Sequence, residues 1–142
     1  MDTNFSLPGI RSIAYVKSES LSPDLAMMYR AGTPICVYAP RTSLSFVGTP
    51  TCEVETTNEN KGQKQTVTLT FNTLDIVPEE FAIAFIVTDM NGQSYLIGLH
   101  SEPYPLIDCL KSFGSPDGDA HSLAVTVTYV SAAAFIPIML PE

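Results

Sequence analysis

The chain predicts an all-β fold, a single-domain antiparallel β-sandwich or barrel with at most one short helix. Three observations carry this reading. Residues 81–100 place two apolar runs around a turn cluster containing Asn91-Gly92, the strongest short-range hairpin signal. Residues 66–71 alternate strictly, with Val67, Leu69 and Phe71 on one face and Thr66, Thr68 and Thr70 on the other. Eleven prolines separate the short apolar runs, as loops and protected strand edges require. One β-domain is expected over residues 1–142, with residues 1–9 as an arm.

The elements follow in order. A strand is expected near Ile13-Ala14-Tyr15-Val16. Leu21 to Arg30 is the one helical candidate, because Ser22-Pro23-Asp24 resembles a helix entry and Leu25, Met28 and Tyr29 have roughly helical spacing. Gly32-Thr33-Pro34 ends it. Strands are expected at Ile35–Tyr38 and Leu44–Val47. Cys52–Thr57 and Thr66–Phe71 read as a hairpin joined by the loop Asn58–Lys64, a half-exposed outer pair with Val54 on the apolar face and Glu53 and Glu55 on the wet one.

Phe81–Thr88, paired to Tyr95–Leu99, is the inner hairpin. Phe81, Ile83, Phe85 and Val87 share one face, and Ala82, Ala84 and Ile86 make the other face apolar as well. Such a strand is covered twice, as the centre of a sandwich or by a neighbouring subunit. A Pro-rich connection around Pro103-Tyr104-Pro105 leads to an apolar stretch, Leu106–Leu110. The turn-forming loop from Gly114 to Asp119 then precedes a strand with Leu123, Val125, Val127 and Tyr129 on its buried face.

Composition bounds the function classes. Apolar residues make up 45% and charged residues 15% of the chain, against a usual charged share of about 25%. So little solvated surface suggests area shared between chains. The net charge of −8 is uneven: residues 1–65 hold six Lys/Arg and six Asp/Glu, while residues 66–142 hold nine acids and only Lys111. Such a surface repels phosphate backbones, which argues against direct nucleic-acid binding.

Cys36, Cys52 and Cys109 are odd in number and widely spaced, which favours reduced thiols in the cytoplasm over a disulfide framework or zinc site. Residues 1–12 carry an acid at position 2 and no apolar core, unlike a secretory leader. The longest apolar stretch, Ala132–Leu140, is broken by Pro137, so no membrane span is expected.

Motifs for chemistry are sparse. The metal candidates are His100 and His121 with Asp117, Asp119 or Glu102, since imidazole and carboxylate are suitable ligands, but their spacing is not diagnostic. Asp117-Gly118-Asp119 lacks the further oxygen ligands of a calcium loop. No nucleophile elbow or phosphate-cradling Gly-rich loop occurs, and Cys36 and Cys109 read as small core residues. Glu53 and Glu55 share a strand face, but a wet face beside threonines is the wrong setting for a general acid. No catalytic residue and no cofactor are assigned, and the chain reads as a non-enzyme.

The succession from Val87 to Gly98, then Pro103-Tyr104-Pro105, then Gly114 to His121 before a Thr/Val-rich strand, resembles small β-rich virion or tail structural proteins of Bacteroidales phages and prophages. The resemblance covers roughly residues 80–137. It implies a virion component, tail or capsid-associated, that is synthesised in the cytoplasm. Its function would be assembly through β-surface self-association and contact with other assembly proteins, with the loops Asn58–Lys64 and Ser112–Ala120 touching neighbours. The alternative is a sandwich binding module for carbohydrate or peptide, using Tyr38, Tyr95 and Tyr104.

Overall fold

The computed structural model describes residues 3–6, 9–37, 40–59, 62–73, 82–100, 104–112, 122–131 and 135–139. Ten strands and one helix follow in the order β1 (Thr3–Ser6), β2 (Ile10–Lys17), α1 (Leu25–Arg30), β3 (Thr42–Leu44), β4 (Val47–Glu59), β5 (Gly62–Thr73), β6 (Ile83–Asp89), β7 (Ser94–Ile97), β8 (Leu106–Ser112), β9 (Ser122–Ser131) and β10 (Ile136–Ile138). A 3-10 turn at Ser18–Ser20 follows β2. The strands form two five-stranded antiparallel sheets, ordered β1-β4-β5-β9-β8 and β10-β7-β6-β2-β3. The fold is therefore an all-β sandwich with a single short helix, as the sequence predicts.

Period-two alternation builds the core between the sheets. Val54, Val67, Leu69, Phe71, Val125, Val127 and Tyr129 from the first sheet meet Ile13, Ile83, Phe85, Val87 and Ile97 from the second. Across this interface the rings of Phe71 and Phe85 pack edge to face, 6.4 Å between centroids. At its margin Tyr95 stacks on Phe135 at 4.4 Å. These are favoured aromatic geometries.

The opposite face of the second sheet is also buried, and the chain covers it itself. Ala14, Val16, Ala84, Ile86, Leu96 and Ile136 pack against Leu21, Leu25, Ile35 and Val37. The two-sided apolar pattern of β6 thus needs no neighbouring subunit: α1 and its flanks form a third layer. The second side of that layer is fastened by a parallel bridge between Cys36 and Met139. There Met139 N–H donates to the Ile35 carbonyl at 2.8 Å, and Val37 N–H donates to the Met139 carbonyl at 3.0 Å.

Several boundaries differ from expectation, each for a physical reason. The helix begins at Leu25, because Leu21 is spent as a buried anchor before it. Ile35–Val37 makes only the Met139 bridge instead of a full strand, and Tyr38 lies outside the described residues. Leu44–Val47 is not one strand: Leu44 ends β3 in one sheet and Val47 opens β4 in the other. The expected loop at 58–64 is largely ladder, with Asn58 paired to Gln63 and Glu59 to Gly62. β4 and β5 lie inside their sheet, flanked by β1 and β9. Within the expected arm, Thr3–Ser6 pairs with β4 as β1.

The inner hairpin is present as β6 and β7, with Thr88 opposite Ser94; Phe81 lies outside the described residues. Its turn is a three-residue loop, since Asp89 N–H donates to the Gln93 carbonyl at 2.9 Å and Gly92 N–H to the Asp89 carbonyl at 3.1 Å. Gly92 takes φ +87°, a conformation that disfavours other residues.

Candidate functional site

Successive rungs across the outer face of the second sheet change character along the strands. Val16 and Ala84 form one rung, and Ser43, Ala14, Ile86, Leu96 and Ile136 form the next. These lie toward the α1 layer. The following rung is Ser12, Thr88, Ser94 and Ile138, and the hydroxyls of Thr88 and Ser94 hydrogen-bond at 2.9 Å. At this rung Ser94 and Ile138 are buried while Ser12 is exposed, and the rung borders a groove of about 870 Å³.

Two arginines line this groove. The pairing of β2 with β6 slips between Ile10 and Ser12, so Arg11 is the extra residue of a β-bulge. Ile10 and Ile13 both enter the sandwich core, which leaves Arg11 and Ser12 together on the exposed side. Arg41 stands immediately before β3, at the opposite margin, and is also exposed. Among the described residues neither guanidinium has an ion pair or hydrogen bond. Among the described residues no Asp or Glu lines the groove.

Its far wall is held rigid by the β6–β7 turn. Asp89 is buried, and its Oδ1 accepts from Asn91 N–H at 2.9 Å and Gln93 N–H at 3.0 Å. The Gln93 side-chain amide then donates to the Ser94 carbonyl at 2.9 Å and the Ile138 carbonyl at 3.2 Å, tying the turn to β10. The Tyr95 phenol is pushed up by burial and by the nearby Asp89 charge.

The residues singled out by sequence are not brought together here. His100 is half-buried with its Nδ1 atom unpartnered, while His121, Asp117, Asp119 and Glu102 lie outside the described residues. Among the described residues no group of three or more His, Cys, Asp or Glu is placed to hold a metal. Tyr95 is engaged with Phe135, Tyr104 is exposed beside β8, and Tyr38 is outside the described set. Cys52 is fully buried, and its thiol is pushed up to about 12, first by burial and then by the charge of Glu53. Cys109 packs against the sandwich core. Glu53 and Glu55 are exposed, opposite Thr68 and Thr66.

Sequence reasoning missed Arg11 and Arg41. A signal for Arg11 was present: two polar residues between Ile10 and Ile13 break the period-two alternation, as a bulge does. Nothing local marks Arg41.

A further surface feature stands out on the first sheet. At the β8 edge, Leu106 is 63% exposed and Val130 38%. Leu106 lies opposite Thr128, one rung from Val130, with exposed Tyr104 two residues before β8.

No helix among the described residues is long and apolar enough to cross a membrane. Comparison with protein-family models, curated proteins and solved structures finds no match to this chain.

Proposed function

We propose that this chain is a non-enzymatic structural protein that acts by self-association through β-surfaces, as the resemblance to phage and prophage virion components implies. The observation that carries the reading is the apolar corner at the β8 side of the first sheet, where Leu106, Val130 and Tyr104 are exposed. Such a corner suits burial against a neighbour, since exposed apolar patches mark interaction sites. Among the described strands β8 is the last of its sheet, and strand edges pair readily with another chain.

The tyrosine-based binding module has less support, because Tyr95 is consumed by its stack on Phe135. Light scattering across a concentration series, in low and high salt, tests assembly. Association that persists in high salt is expected, because screening weakens exposed charge contacts but not apolar burial. Leu106→Lys should lower the association state. A protein that stays strictly monomeric in both conditions refutes the reading.

A further inference from the structure

We propose that the groove on the second sheet binds an extended acidic peptide segment, with Arg11 and Arg41 as its two anchors. This inference stands independently of self-association. In a chain with fifteen acids and seven Lys/Arg, two of the three arginines line one concavity that no described Asp or Glu lines. Neither is spent on a partner among the described residues. Guanidinium groups offer planar, charge-assisted hydrogen bonding that matches carboxylates.

The backbone spacing suits an extended chain. Thr42 pairs with Tyr15, which places Arg41 level with the end of β2, whereas Arg11 sits at its beginning. Along β2 the two backbone positions are ~15 Å apart at about 3.3 Å per residue. An extended peptide with acids about four residues apart matches that separation, because it advances by the same rise per residue.

The lining favours peptide over acidic saccharide. Among the described residues no aromatic ring lines the groove for a sugar to stack on; its apolar lining includes Ala14, Ile86 and Ile138. The rung of Ser12, Thr88 and Ser94 offers hydroxyls to backbone amides and carbonyls. Among the described strands β3 ends its sheet, and an edge strand suits pairing with an added strand.

Isothermal titration with a hexaglutamate peptide in low salt tests this, with inorganic phosphate and a galacturonate oligomer as parallel arms. Saturable binding of one peptide per chain is expected, weakening as salt is added. Arg11→Gln and Arg41→Gln should each weaken it about tenfold, the loss of one charge-assisted contact. Arg30→Gln, the same charge change at the end of α1, should leave affinity unchanged. All three arginines are exposed, and circular dichroism confirms that each variant folds. The proposal is overturned by no binding, by equal loss in Arg30→Gln, or by phosphate or galacturonate binding as tightly as the peptide.

Discussion

Replacing Gly98 with alanine tests the packing on the outer face of β6 directly. Gly98 is buried at the end of β7 with φ +121°, in a region where a side chain is strained. A Cβ there would lie 2.8 Å from the Ala84 Cβ, 3.0 Å from the Pro105 Cγ and 3.1 Å from the Ala84 Cα. Two costs therefore combine. Backbone strain at such a φ is worth about 1–3 kcal/mol, and overpacking a tight interior costs roughly 1–3 kcal/mol. The expected loss is about 2–6 kcal/mol, read from urea unfolding followed by circular dichroism with an unchanged m-value. A second variant separates the terms. Ala84→Gly removes the nearest methyl, so the double variant should be less destabilised than the two single losses added, while the strain at φ +121° persists. A Gly98→Ala protein that loses less than about 1 kcal/mol, under the lower strain and packing bounds combined, refutes the reasoning.

Other outcomes follow from the core. Phe85 has no exposed surface and packs edge to face on Phe71, so Phe85→Ala should cost ~3–5 kcal/mol by denaturant titration; a loss under about 1 kcal/mol excludes it from the core. The Cys52 thiol, raised from its ordinary 9.0 to about 12, binds its proton more tightly in the folded chain than in the unfolded one. Its contribution is complete below pH 9 and is lost as pH rises toward 12, at about 1.4 kcal/mol per pH unit in that window. Unfolding of wild type and Cys52→Ala between pH 9 and 10 checks this: the variant should lose stability less steeply, and equal slopes contradict it.

Legibility tracked how local the determining contacts are. β5 and β9 were readable because Val67-Thr68-Leu69 and Val125-Thr126-Val127 each carry their own burial pattern, and pairing with one another only confirms it. The β6–β7 hairpin was readable for the same reason, its turn residues being adjacent to both strands. β1 was not, since Thr-Asn-Phe-Ser has no alternation to read and gains order from the ladder of β4. The junction between Leu44 and Val47 was misread because one apolar run serves two sheets, and only tertiary structure divides it. The groove was least legible of all. Arg11, Arg41 and Gln93 are separated by long stretches of sequence and meet only because β2, β3 and β7 share a sheet.

The bridge between Cys36 and Met139 bears on how this chain matures as it is synthesised. Residues 21–37 are made well before the segment that fastens them, which follows every other described strand in the chain. Until β10 arrives beside β7, Ile35 and Val37 lack their hydrogen-bonded neighbour, and the apolar rung of Ala14, Ile86 and Leu96 lacks Ile136. Neither sheet can be finished from a nascent fragment, because one needs β1 with β9 and the other β2 with β10. The greasy outer face is therefore closed only once residues 136–139 are made, and a polypeptide stalled before residue 136 presents that face to whatever is nearby.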